Sequence, residues 1–168
     1  MAAQLDIIEV KASLGINEAG EITGNAWVFA EPDSVGDVIG KGAFGSIPAD
    51  LPILFQHDPT DIAGTWSEIT ATNDALTVKG MLHLDRPRSR SIRSMVQSGL
   101  IGGLSIGFRT IEAKQSGRNR VISNLDLVEV SLVRNPAHPK ARVTGAKQFD
   151  LASAIAAALN RAAAHFSK

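Results

Sequence analysis

A histidine, a serine and a glutamate each interrupt an apolar stretch of this chain. His57 closes the run Leu51-Pro52-Ile53-Leu54-Phe55-Gln56, just before Asp58. Ser105 lies inside Gly102-Gly103-Leu104-Ser105-Ile106-Gly107-Phe108, and Glu129 inside Leu127-Val128-Glu129-Val130-Ser131-Leu132-Val133. An imidazole, a hydroxyl and a carboxylate held on three rigid segments are the parts of a serine hydrolase. The imidazole takes the hydroxyl proton, the oxygen attacks a carbonyl, and the carboxylate orients the imidazole.

Each residue has a plainer alternative. On a strand, Ser105 points away from both Leu104 and Ile106, which suits an ordinary solvent-facing serine as well as a nucleophile. The glycines Gly102, Gly103 and Gly107 shift the balance. They clear side chains for the approach of a substrate backbone, and their N–H groups can face a developing oxyanion. Of the four histidines, His57, His83, His138 and His165, only His57 ends an apolar segment at a turn, where it is held yet accessible. In a regular strand Leu125, Leu127, Glu129, Ser131 and Val133 share one face, so Glu129 is expected to be at least partly buried. A buried carboxylate needs a partner. Arg109 or Arg134 would make this a structural ion pair; His57 would make it catalytic. Asp58 is the weaker partner for His57, because adjacent side chains on an extended chain diverge. His57, His83, His138 and nearby aspartates lack the spacing of a metal-ligand motif, so no metal or other cofactor is expected.

The elements that must position these residues read as short strands. Leu5 to Leu14 and Glu21 to Ala30 are strand-like, the second carrying Trp27 and Phe29. Gly40 to Phe44 continues a loop or starts a short helix. A brief strand leads to His57, and Asp58-Pro59-Thr60-Asp61 is expected to turn the chain. Ile62 to Thr70 and Ala75 to Leu84 read as a hairpin around Thr72-Asn73-Asp74. Ile92, Met95 and Val96 then fall at helical spacing over residues 88–98, ended by Gly99, with Arg88, Arg90 and Arg93 on the wet side. Leu104 to Ala113 and Arg120 to Arg134 give two or three more strands across the polar turn Lys114 to Asn119. Phe149 to Phe166 is an alanine-rich helix with Leu151, Ile155 and Leu159 on one face. Many short strands with few helices argue for a mainly β fold, a closed or nearly closed β-barrel ringed by peripheral α-helices, rather than a parallel α/β sheet. Residues 1–147 form the barrel domain and 148–168 the C-terminal helix. The string Gly103-Leu104-Ser105-Ile106-Gly107 matches the nucleophile elbow of esterases, but Phe108 to Ala113 read as strand where that elbow opens a helix.

Composition removes several function classes. The 168 residues contain no cysteine, which excludes disulfides and thiolate metal sites. No apolar run approaches a membrane span and the N-terminus lacks a signal-peptide pattern, so a cytoplasmic protein is expected. Formal net charge is zero, yet residues 1–80 carry 12 acidic and 3 basic side chains and residues 81–168 carry 5 and 14. The plain expectation is that the halves intermix and cancel locally; the sharper one is a polarised surface. There are no tyrosines, and the basic residues are not interleaved with aromatics, which argues against a dedicated nucleic-acid binder.

Taken together, the strings resemble the tailed-phage prohead (procapsid maturation) serine protease family. The resemblance runs from about Gly24 to Lys147. It rests on Gly24-Asn25-Ala26-Trp27-Val28-Phe29, on Asp37-Val38-Ile39 with Gly42-Ala43-Phe44, and on Leu54-Phe55-Gln56-His57-Asp58. Gly64-Thr65-Trp66, Leu82 to Pro87, Gly102 to Phe108, and Leu127 to Val133 with Asn135-Pro136-Ala137 complete it. It implies a fold similar to herpesvirus assembly proteases, with Ser105 as nucleophile, His57 as general base and Glu129 as third member. It also implies an oxyanion-hole N–H from Arg134 beside Gly102 and Gly103, although Arg134-Asn135 stands where family members more often carry a small or aromatic residue. The expected enzyme is a serine endopeptidase that cuts capsid- or scaffold-protein extensions, and itself, inside the immature procapsid in the host cytoplasm. Its implied partners are the capsid or scaffold substrate and the procapsid shell, with self-association as in the dimeric herpesvirus enzymes, and neither nucleic acid nor membrane. The main rival is a catalytically silent capsid-assembly or scaffold protein on the same fold.

Overall fold

The computed structural model describes residues 6–10 and 14–134. The expected helix over Phe149 to Phe166, the Asn135-Pro136-Ala137 string, His138 and His165 lie outside them. Nine strands and one α-helix run in chain order: β1 (Asp6–Val10), β2 (Leu14–Ile16), β3 (Glu21–Val28), β4 (Asp37–Ile39), β5 (Pro52–Phe55), β6 (Asp58–Ala71), β7 (Ala75–Leu82), α1 (Pro87–Gln97), β8 (Gly103–Ser116) and β9 (Asn119–Val133). A single 3₁₀ turn, Lys41–Ala43, stands where a loop or short helix is expected.

All nine strands belong to one sheet, ordered β1-β8-β9-β5-β6-β7-β3-β2, with β4 paired to β9 off that path. The closed or nearly closed barrel is therefore corrected. The sheet ends at β1 on one side and β2 on the other, and among the described residues these two do not pair. The two edges are short, five and three residues, and strand periodicity says nothing about which edges meet. Nor do helices ring the sheet: α1 is the one α-helix among the described residues.

The organising strand is β9. Along one edge it pairs antiparallel with β8 from Ser116↔Asn119 to Gly103↔Val133. The two-residue turn between them has Gly117 at φ +61°, the left-handed value that a tight hairpin demands. Along its other edge β9 is shared: Arg120–Ile122 pair parallel with β4, and Val130–Leu132 pair parallel with β5. The expected two or three strands of this region are thus two long ones. After Ser105 the chain continues as β8 to Ser116, so the helix that an esterase elbow requires is absent.

One face of the sheet carries the core. Trp27, Trp66, Phe108, Ile22, Ile53, Leu104 and Ile106 are fully buried there. Ile92 and Val96 of α1 join them, as the helical spacing predicts. The three arginines of α1 do more than face water. Arg88 forms a forked pair with Asp61 (Nε–Oδ2 3.0 Å, Nη2–Oδ2 2.7 Å), Arg90 donates to the Leu84 and Asp85 carbonyls, and Arg93 donates to the Glu18 carbonyl. Arg88–Asp61, Arg93–Glu18 and Arg120–Asp37 each join a base of the second half to an acid of the first. The halves intermix, and charge cancels locally.

The β6–β7 ladder shows how tightly this frame is built. A Cβ on Gly64 would collide with the Met81 carbonyl oxygen and lie 2.8 Å from Leu82 Cα. Both are backbone, so the ladder itself has to open. Gly64→Ala is expected to destabilise the protein by roughly 3 kcal/mol, a fall in Tm on the order of 10 °C in a circular-dichroism melt. An unchanged Tm would mean that the ladder yields freely at this point. Among the described residues no helix is long and apolar enough to cross a membrane.

Candidate active site

His57 is set by a tight hairpin. Phe55 of β5 pairs with Asp58 of β6, leaving Gln56 and His57 as the two turn residues at φ +53° and +63°. A two-residue hairpin asks for positive φ at both positions and ordinarily uses Asn or Gly there. For side chains such as Gln and His each left-handed residue costs about 1–2 kcal/mol. The surroundings hold the strained turn in place. Gln56 N–H donates to the Leu132 carbonyl at 2.9 Å, and the Arg88 guanidinium lies 4.6 Å from the centre of the Phe55 ring while gripping Asp61.

The turn thus falls at Gln56-His57, and the expectation of a turn over Asp58 to Asp61 is corrected: Asp58 already begins β6. Pro59 and the aspartates carry the turn signal by residue type, whereas tertiary contacts impose the left-handed pair. The Asp58 carboxylate accepts from the Thr60 hydroxyl (2.6 Å) and N–H (2.8 Å). These bonds, the hydroxyl's foremost, hold its carboxyl below the usual range. Asp58 therefore serves its own strand.

His57 instead meets Glu129. Its Nδ1 lies 2.5 Å from Glu129 Oε1, and both side chains are largely withdrawn from solvent, 17% and 8% exposed. Of the partners considered for Glu129, the structure selects His57; Arg109 and Arg134 are exposed. Burial makes this pairing matter, since a short bond to a charged acceptor strengthens as water is excluded.

A β-bulge puts Glu129 on the correct face. Gly107 pairs with Glu129 but Phe108 pairs with Leu127, so Val128 is an extra residue in β9. The alternation shifts by one there. Leu125 and Leu127 enter the core together with Val130 and Leu132. Glu129 and Ser131 are buried at 6% and 0% exposure on the opposite face. The expected common face of Leu125, Leu127, Glu129, Ser131 and Val133 is corrected accordingly: a strict period of two cannot anticipate an inserted residue.

Ser105 shares the face of Glu129. Its neighbours Leu104 and Ile106 belong to the core, so its side chain points the other way, and it is fully buried. Its Cα partner in β9 is Ser131, whose partner in β5 is Leu54. One transverse row thus runs Ser105, Ser131, Leu54, and the His57 turn comes directly after Leu54 and Phe55. Ser131 Oγ donates a long hydrogen bond (3.4 Å) to Glu129 Oε2. Beneath, the Trp66 indole N–H donates to the Val130 carbonyl at 2.9 Å and anchors the backbone between Glu129 and Ser131. At the end of the β8–β9 pair, Gly103 faces Val133, which puts half-buried Gly102 and exposed Arg134 on adjacent strand ends, each three residues from the Ser105–Ser131 row.

The sequence-predicted residues His57, Ser105 and Glu129 thus converge on one face. Gly102, Gly103 and Arg134 border it, and His83 lies elsewhere, against Thr65 Oγ1. The sequence assigns no role at the site to Ser131 or Trp66, although Ser131 sits two residues from Glu129 at the same-face spacing. Among the described residues no cluster of three or more His, Asp or Glu is placed to hold a metal ion.

The profile of the caudovirus prohead serine proteases matches residues 6–154. The prohead protease of Enterobacteria phage HK97 is 28% identical over 153 residues, which span 86% of this chain and 68% of that protein. A capsid polyprotein of Pseudomonas phage PAJU2 is 33% identical over 153 residues, 85% of this chain and 22% of the polyprotein. Among solved structures, the bacteriophage T4 capsid assembly protease superposes with a TM-score of 0.53 at 16% identity, covering 79% of this chain and 98% of that one; this similarity bears on fold. With most of its length matched, the chain belongs to the caudovirus prohead serine protease family and is a phage maturation serine protease.

Proposed function

We propose that Ser105 is the nucleophile, His57 its general base and Glu129 the carboxylate that orients His57. The observation that carries this reading is the 2.5 Å contact between His57 Nδ1 and Glu129 Oε1. A proton held at Nδ1 by Glu129 leaves Nε2 as the nitrogen that takes the Ser105 proton. The Ser105 oxygen then adds to a peptide carbonyl. His57 returns the proton to the leaving amine, and water releases the acyl group by the reverse use of the same pair. N–H groups at Gly102, Gly103 and Arg134 are assigned to the oxyanion. Their place at the strand ends beside the Ser105 row supports this.

The substrates are peptide extensions of capsid or scaffold proteins, and the enzyme's own chain, cut inside the immature procapsid in the host cytoplasm. The prohead protease and capsid polyprotein among its relatives support that setting. We read residues 1–147 as the protease domain and 148–168 as an alanine-rich C-terminal helix that packs on it, tethers it or is self-cleaved. A plan shared with herpesvirus assembly proteases, including self-association, belongs to the same reading. A silent assembly protein would have no use for a largely buried imidazole–carboxylate pair held at the cost of two left-handed turn residues.

The test is fluorophosphonate labelling of the purified chain and of co-expressed procapsids, with peptide mass mapping. The expected result is a label on Ser105 in at least one preparation, lost in His57→Ala. Ser105 has no exposed surface in the resting chain, and the procapsid supplies the native setting in which it would react. Absence of label from both preparations would overturn the assignment.

A further inference from the structure

We propose that Gly107 and Ser131 are positioning residues that hold the Glu129 carboxylate against His57; this rests on the reading of His57 and Glu129 as a catalytic pair. Two separate observations carry it. A Cβ on Gly107 would lie 2.5 Å from Glu129 Cγ, 2.8 Å from Oε1 and 3.1 Å from Cδ. All three of these nearest atoms belong to Glu129, and Oε1 is the oxygen that meets His57. Gly107 is also the Cα partner of Glu129 across the β8–β9 ladder. The glutamate side chain therefore lies over the bare backbone of residue 107. Two residues along β8 on the same face stands Ser105. By leaving that space empty, Gly107 lets the carboxylate reach across to β8 and draws the His57 ring toward the nucleophile. The second observation is the Ser131 hydroxyl, fully buried and directed at Oε2. It restrains rotation of the carboxylate so that Oε1 stays on the imidazole.

This changes the meaning of Gly107. From sequence it reads as clearance for a substrate, whereas the structure fills its clearance with the enzyme's own glutamate. Alanine at 107 is incompatible with the observed Glu129 conformer, because real Cβ atoms do not approach carbon that closely. The flexible glutamate must swing away, and misplacing a catalytic group by about 1 Å can cost on the order of 10²-fold in rate.

The test is a double-mutant cycle on the rate of fluorophosphonate labelling of Ser105, in the preparation where the wild type reacts. It is joined to proton NMR of the His57 Nδ1–H, which a short bond to carboxylate shifts far downfield. Gly107→Ala should slow labelling by roughly 10²-fold and erase the downfield resonance. Ser131→Ala should slow it by roughly 3- to 10-fold, the scale of one hydrogen bond, and move the resonance. In a Glu129→Ala background neither substitution should add a further loss, since both act through Glu129. Should Gly107→Ala fail to fold, the Glu129→Ala/Gly107→Ala protein is expected to fold, because its clash is gone. Failure of that double variant to fold would overturn the proposal, as would additive losses or a retained downfield resonance in Gly107→Ala. If Glu129→Ala alone labels at the wild-type rate, the catalytic-pair reading itself fails.

Discussion

Replacing Ser105 by alanine is expected to abolish processing of a co-expressed capsid or scaffold precursor, with turnover lower by roughly 10⁴-fold or more. Among the described residues no other hydroxyl is placed to substitute. Ser131, the next on this face, is one strand away from Ser105, and its hydroxyl is directed at the Glu129 carboxylate. The fold should survive. Ser105 lies on a strand paired on both edges, with β1 and with β9, and the substitution removes a single oxygen without leaving a void the size of a methyl group. Melting should stay within about 1 kcal/mol of the wild type, the scale of one hydrogen bond. Persistence of normal processing in a folded Ser105→Ala protein would remove the nucleophile from the mechanism.

The second large effect is expected at Glu129. Glutamine keeps the shape of the side chain and its place over Gly107, but its amide has only one accepting oxygen. When the amide turns its NH₂ toward His57, Nδ1 must accept, the proton moves to Nε2, and the ring can no longer receive the Ser105 proton. Glu129→Gln should therefore lower kcat by roughly 10²- to 10⁴-fold with KM little changed. Its thermal unfolding should shift far less. Steady-state kinetics on a precursor-derived peptide, beside a thermal melt of the same preparation, separates the two roles. Loss of folding with an unaltered rate in the folded fraction would make Glu129 a structural partner of His57.

Much of this site was legible in the residues themselves. His57 at the end of an apolar run, Ser105 among glycines and Glu129 in a run of hydrophobic residues are local incongruities, since burying polar groups there is costly unless they are used. The strand pattern of β3, β5, β7, β8 and β9 and the helix over Pro87–Gln97 arise from periodicity, a property of neighbouring residues. The features that were not legible depend on residues far apart in the chain. The left-handed Gln56-His57 turn contradicts the local turn signal of Asp58-Pro59 and exists because Leu132, Phe55, Arg88 and Asp61 hold it. The bulge at Val128 reverses the face of Glu129 and shows no mark in its own sequence. Gly107 and Ser131 acquire their roles from ladder register, which sets them opposite Glu129 and Ser105.

Sheet closure belongs to the same class. Alternating residues specify that strands form and which face is apolar, but the choice of edge partners is made by the whole chain. Here β9 pairs along both edges, and among the described residues β1 and β2 remain the ends of an open sheet. The amino-acid sequence by itself determined the chemistry available, a hydroxyl, an imidazole and a carboxylate on a mainly β frame. Only the tertiary structure decided that the carboxylate of β9 meets the imidazole of the β5–β6 turn on the face of Ser105. Residue type acts through local chemistry, whereas a contact across 72 positions depends on strand register and on one inserted residue.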